Sequence, residues 1–272
     1  MSQSEILFIS ISIFLYSAGI VAFFSRRLQQ RWIFIFSLTA LLSHLISAII
    51  RWAAIGHPPV FGTYEATLAA SWFMPLTALL AVKKHRQIEI IIPWTAFFAL
   101  LHLAYGFTFN TALVPLTISE QSIWVDLHAM AAWLAYGELF ISFLLSVMLL
   151  MTKDEGRLQK RLPRPDVMDE LIFIYLILGF IFHTLMFALG SYYSSILFGK
   201  WWTWDPVDTL FMISWIIFGL IIHMRLFYGW KEKRMATLVI IGMVTIFVGY
   251  WSLIYIPWAT YHIFDIGLKM HG

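Results

Sequence analysis

Between residues 201 and 206, three indoles and a carboxylate crowd into one run, Trp201-Trp202-Thr203-Trp204-Asp205-Pro206. Indole faces suit a flat, hydrophobic, polarizable ligand, while the N–H edges and the acid can order one side of it. A porphyrin is such a ligand. The competing reading is an interfacial tryptophan belt, which membrane proteins use to sit at the headgroup level. A belt needs neither the Asp-Pro step nor such tight clustering of indoles.

The chain has nine histidines, and their depth separates them. His57 and His85 fall in loops, where solvated surface roles are expected. His44, His102, His183 and His223 fall inside long apolar runs, where an ionisable group is expensive and draws attention as a functional group. His128 opens the fifth run and His262 closes the eighth, at matching depth and level with the tryptophan loop; His271 follows nearer the C-terminus. Two neutral imidazoles at one depth on separate helices can ligate a haem iron from both faces. The pair His128 and His262 is therefore read as an axial set beside an aromatic shelf, the plainer alternative being interfacial histidines bonded to water or headgroups. His223 sits in the inner third of its run; it either ligates a second haem lower in the membrane or bonds a neighbouring carbonyl. His44, His102 and His183 are read as structural groups with their hydrogen bonds met inside the bundle.

The elements that position these residues are membrane helices. The chain is 61% hydrophobic and 12% charged, with mean hydropathy +0.81, outside what a soluble domain of this length tolerates. Apolar runs of about 20 residues recur throughout, which predicts an all-α polytopic integral membrane protein with about eight spans. They are placed at 5–25, 32–52, 64–82, 88–107, 122–151, 169–190, 207–228 and 236–262. One domain over 1–272 is expected, without repeats. Residues Met1–Glu5 lack positive charge, so no cleaved signal peptide is expected.

Cations set the orientation. Arg26, Arg27 and Arg31 follow the first run, and Lys83, Lys84 and Arg86 the third. Lys153, Arg157, Lys160, Arg161 and Arg164 follow the fifth, and Arg225, Lys231, Lys233 and Arg234 the seventh. These loops hold most of the 18 Lys and Arg, and eight spans put all of them on one side, which is cytoplasmic by the positive-inside rule. Both termini and the loops 53–63, 108–121 and 191–206 then face outward. The net charge of +3 is topogenic and gives no ground for a nucleic-acid partner. Thr152–Glu170 reads as a solvated connector. In the stiff outward turn Gly56–Glu65, Thr63 is a candidate cap for the third helix, with Glu65 favourable in its first turn. Cysteine is absent from the sequence, so thiol chemistry in the pathway must belong to a partner or substrate.

The run Trp201–Thr209, followed by Ser214-Trp215 and His223-Met224-Arg225, resembles the tryptophan-rich signature of the cytochrome c assembly family, the WWD haem-handling superfamily. The likeness is to its CcsA/ResC branch of system II maturation and to short HemX-like members. Asp208 stands where that family usually has Glu. Pro59–Glu65 is similar to the family's outer turn, with Gly62 in place of Asn, and the segment Leu127-His128-Ala129-Met130 is similar to its histidine-bearing helix. The likeness runs from about residue 51 onward.

The resemblance implies haem b as cofactor, held on the outward loop by Trp201, Trp202, Trp204 and Asp205. It implies His128 and a second external histidine as axial ligands, and His223 as the histidine associated with haem inside the bilayer. The family tail carries its second external histidine where this chain has Lys269; His262 or His271 could substitute, with His262 favoured by depth. Partners implied are a CcsB/ResB-like membrane protein and an apocytochrome c with CxxCH thiols, in a bacterial or archaeal cytoplasmic membrane. The chain would act as a component of a haem lyase, presenting haem at the outer face for covalent attachment. The alternatives are a HemX-like regulator or scaffold of tetrapyrrole synthesis and a haem b electron-transfer subunit oxidising quinol.

Overall fold

The structure is a computed structural model that describes residues 1–25, 30–113, 116, 121–151 and 162–252. Its described part is helical throughout: α1 Gln3–Ser25, α2 Gln30–Ile55, α3 Gly62–Lys84, α4 Ile91–Gly106, α5 Ile123–Met151, α6 Pro165–Phe198, α7 Pro206–Tyr228 and α8 Glu232–Ser252. Seven of these are long and apolar enough to cross a membrane, and α4 is a shorter apolar helix of 16 residues. The chain is a polytopic membrane protein. The expected span 88–107 shrinks to α4 for a local reason. A 3-10 turn, Arg86–Ile88, comes first. Pro93 has no N–H to donate, which places it in a first helical turn and starts α4 at Ile91. The part of the eighth expected run beyond residue 252 lies outside the described residues, as do His262, Lys269 and His271.

Residues Met1–Asp126 form one compact unit and a second begins at Leu127. In the first unit, small polar side chains tie α1 to α2: Ser43 Oγ donates to the Phe8 carbonyl at 2.7 Å and Ser47 Oγ to the Glu5 carbonyl at 3.1 Å. Helices in lipid lack a hydrophobic drive toward each other, so close backbone approach and such bonds carry the association. Gly106 of α4 shows the same economy, since a Cβ there would lie 2.1 Å from Thr67 Oγ1 on α3.

Buried charge organises one end of this unit. Arg51 Nε donates to Glu65 Oε1 at 2.7 Å, Nη1 to Glu5 Oε1 at 3.3 Å and the Thr111 carbonyl at 3.2 Å, and Nη2 to the Ala112 carbonyl at 3.1 Å. The guanidinium also stacks over the Tyr64 ring. Thr63 is not the cap of α3. That position falls to Phe61, without a side-chain cap, and Glu65 Oε2 reaches back to accept the Phe61 N–H at 3.1 Å. Glu65 is thus an ion-pair partner as well as a first-turn acid.

In the second unit, α5 and α6 approach through Gly179, where a Cβ would stand 2.6 Å from Leu139 Cγ, and through Ser142 Oγ donating to the Ile172 carbonyl at 2.9 Å. Trp133 and Phe140 of α5 meet Tyr250 and Phe247 of α8 edge-on. At the far end from the tryptophans, Asp169 of α6 accepts from Arg225 Nη1 of α7 and from the Glu232 N–H at the start of α8, both at 2.6 Å. One carboxylate therefore fixes three helix ends.

Candidate functional site

The loop that carries the tryptophans is shorter than its sequence suggests. The apolar run through Phe198 keeps α6 helical well past residue 190, and Gly199 ends it in the left-handed conformation, φ 67°, with its N–H bonded to the Ser195 carbonyl. Ser194 Oγ then holds the Lys200 carbonyl at 2.8 Å. Asp205 starts α7 as its N-cap: its Oδ1 accepts the Val207 N–H at 2.8 Å, Pro206 takes the first helical position, and Thr209 Oγ1 bonds the Asp205 carbonyl. The Asp-Pro step noticed in the sequence is thus a helix start, and its carboxylate is 2% exposed.

The three indoles stand at different heights. Trp201 and Trp204 are 64% and 71% exposed, while Trp202 is half-buried beneath them. Trp204 adopts φ 57°, a left-handed conformation that a bulky side chain rarely takes and that costs about 1–3 kcal/mol. The strain holds a large aromatic face out at the loop tip. Trp202 meets Trp204 edge-to-face at 6.3 Å and lies 5.9 Å from Phe187 of α6. Its Nε1–H is buried without a hydrogen-bond partner among the described residues. A buried donor left unmade costs about 1–3 kcal/mol, so an acceptor on a ligand would recover stability here.

His128 stands in the same unit, on α5. Its Nδ1 lies 2.8 Å from the Met186 carbonyl oxygen, and its ring fits against Gly190, where a Cβ would come within 2.7 Å of Nδ1. A carbonyl can only accept, so Nδ1 carries a proton, and in the neutral ring Nε2 keeps its lone pair. That is the tautomer of a histidine metal ligand held by an outer carbonyl. Phe180 stacks on Trp215 at 5.5 Å, and Trp215 Nε1 donates to Thr184 Oγ1 at 2.9 Å, which ties α7 to α6 just below the ledge.

His223 lies elsewhere. It is exposed on the outer face of α7, stacked on Phe227 at 4.3 Å and close to Tyr228 at 5.9 Å, with no hydrogen bond among the described residues. The neighbouring-carbonyl reading is therefore not realised within those residues.

The remaining membrane histidines divide. His102 Nδ1 pairs with the Phe98 carbonyl at 2.9 Å, as a structural histidine should. His44 and His183 are fully buried, and both nitrogens of each lack a partner among the described residues, so the expectation of satisfied groups fails for these two. Sequence reasoning also passed over Glu138 of α5, whose Oε2 is buried without a partner. An acid inside an apolar run was the available signal.

The second unit is a bundle of apolar helices that carries an indole ledge at one end, the architecture of a polytopic membrane protein. The family profile described as Cytochrome C assembly protein matches residues 60–257, and the chain belongs to that family, in its CcsA-like part. It is 27% identical over 268 residues to the cytochrome c biogenesis protein CcsA of Prochlorococcus marinus (strain MIT 9215), covering 86% of this chain and 83% of that one. It is 26% identical to the CcsA of Parasynechococcus marenigrum (strain WH8102), covering 93% of this chain and 90% of that one. Among solved structures, the cytochrome c haem lyase CcmF superposes with TM-score 0.67 at 16% identity over 92% of this chain and 47% of CcmF, which establishes a shared fold.

Proposed function

We propose that this chain receives haem b in a bacterial cytoplasmic membrane and presents it on the outward face for covalent attachment to an apocytochrome c. The tryptophan ledge faces outward in this reading because the cation-bearing loops lie at the opposite helix ends. The carrying observation is His128, whose Nδ1 bond to the Met186 carbonyl prepares Nε2 for an iron in the unit that also bears the ledge. Trp201 and Trp204 supply faces for the macrocycle, and the unpaired Trp202 N–H supplies a donor for its polar edge. Asp205 holds the ledge in place by starting α7. His262 or His271 would complete the axial pair, and His223, on an exposed helix face, would meet haem arriving through the bilayer.

When bound, ferrous haem supplies the vinyl groups that add CxxCH thiols; this chain contributes binding, orientation and iron ligation. A CcsB/ResB-like membrane partner would deliver or hold the apocytochrome. The test is absorption spectroscopy of the purified wild type and His128→Ala. The wild type should carry low-spin haem, and the variant should lose it or shift its spectrum. Equal haem content and identical spectra would overturn the ligand assignment.

A further inference from the structure

Glu138 is an acid in the middle of a membrane span with no counter-charge beside it. It stands near the centre of α5, about 20 Å from either end at 1.5 Å per residue. Its Oε2 is buried and has no hydrogen-bond partner among the described residues. The ionisable neighbour on α6 is Tyr175, and a phenol brings no positive charge. Ser142, one turn further along α5, already donates to the Ile172 carbonyl. Arg51 is committed to Glu5 and Glu65, and Arg225 to Asp169. The other Lys and Arg of the described residues stand at helix ends or in loops. A carboxyl inside the hydrocarbon is expensive, and acids kept there pair with another group.

The face on which Glu138 stands is the open one. α5 buries Ala132, Trp133, Tyr136, Leu139 and Phe140. Positions 127, 130, 134 and 138 recur at helical spacing and share a different side. Leu127 and Met130 are 39% and 36% exposed, while Leu134 and Glu138 are half-buried. One and two turns beyond Glu138 the same side closes, with Ile141 and Leu145 fully buried. An apolar stripe thus runs from the His128 end of α5 and stops at an unpaired carboxyl. Lipid tails match the stripe and leave the acid unmatched. A metal ion would need more ligands than this, and no group of three candidate side chains occurs among the described residues. A helix answers both parts, with an apolar surface for the stripe and one basic side chain for the acid.

We infer that this face of α5 docks a transmembrane helix of another subunit, one that carries a lysine or arginine near mid-bilayer depth and pairs it with Glu138. The ion pair sets the register of the two helices, and the stripe supplies the contact. The docked helix lies along the half of α5 that carries His128. The inference stands whether or not the chain binds haem.

The test places the full-length protein in phosphatidylcholine vesicles with labelled synthetic transmembrane peptides. These are identical leucine-alanine helices with lysine, leucine or glutamate at the centre, and association is read by fluorescence energy transfer. The lysine peptide should bind the wild type about 10-fold more tightly than the leucine peptide, or better, as one close charge pair permits. Glu138→Gln should abolish that preference, and Glu138→Lys should transfer it to the glutamate peptide. Glu138→Gln removes an unpaired acid and should melt no lower than the wild type, so its lost binding is not lost folding. Equal binding of the lysine and leucine peptides to the wild type overturns the inference, as does a preference that survives Glu138→Gln. So does recovery of lysine-peptide binding when Leu220→Glu, on the exposed side of α7, is added to Glu138→Gln, because any acid in the span would then serve.

Discussion

Gly190 and His128 interlock: the space a methyl group would take on α6 is filled by the imidazole of α5, 2.7 Å from where that Cβ would stand. Gly190→Ala should therefore push the ring off the Met186 carbonyl while leaving the helices inserted. Overpacking of this kind costs about 1–3 kcal/mol. Haem content should fall toward that of His128→Ala, with the melting temperature lowered modestly. Full haem occupancy in Gly190→Ala would show that the ring position is immaterial to binding.

Trp202 and Trp204 should separate binding from stability. Trp202→Phe removes a buried donor that has no partner among the described residues. Folding stability should hold or rise, because the unmade bond disappears, while haem retention weakens. Trp204→Gly relieves φ 57° and should raise thermal stability by about 1 kcal/mol or more as it removes the exposed face. Loss of stability in both variants would reduce the ledge to packing.

Asp205 allows capping and charge to be told apart. Asp205→Ala should cost about 1 kcal/mol by stripping the cap from α7. Asp205→Asn keeps an oxygen for the Val207 N–H and removes the charge. Since the carboxylate is buried and committed to the helix start, Asp205→Asn should keep haem binding near wild type, measured by hemin titration. A large loss in the Asn variant would assign the charge itself to the ligand.

Arg51→Met should be among the most destabilising single changes in the first unit. It leaves Glu5 and Glu65 buried without their cation, and breaking such a pair typically costs about 3–5 kcal/mol. Adding Glu5→Gln and Glu65→Gln to Arg51→Met should recover much of the loss in a detergent melting experiment. Arg51→Lys should not rescue, because one ammonium cannot serve both carboxylates and the Thr111 and Ala112 carbonyls.

His85, in the turn after α3, has its pKa lowered by burial and then by the neighbouring Lys84 ammonium. A folded pKa below the unfolded one means that the folded state prefers the neutral ring. The stabilising contribution is present above the ordinary histidine range and is lost as pH falls through it. Melting temperatures recorded from pH 8 down to pH 5 should fall less steeply in His85→Gln than in the wild type. Parallel curves would place the acid sensitivity elsewhere.

Long apolar runs and the clustering of Trp201, Trp202 and Trp204 made the helices and the ledge legible in the sequence, because length and composition alone decide what can cross lipid. The end of α6 was harder to place. Tyr192–Phe198 reads equally as an interfacial segment or as more helix, and only the Gly199 cap decides. Asp205 reads in the sequence as an acid that could order one side of a ligand; that it caps α7 depends on the backbone turn that brings the Val207 N–H to its Oδ1. The unpaired state of His44 and His183 could not be read at all, since it depends on which neighbours face the ring. Depth along a helix is a one-dimensional property; partnership is not.

The 34 residues of α6 make a rod about 51 Å long, against roughly 30 Å of hydrocarbon in a bilayer. The tryptophans are mounted on the tip of a stiff mast instead of a pliant strap. Their height above the lipid surface is then fixed by mast length and lean, so a thicker membrane would draw them toward the headgroups and a thinner one would lift them clear. Lipid composition thereby gains control over how far the indoles stand clear of the membrane.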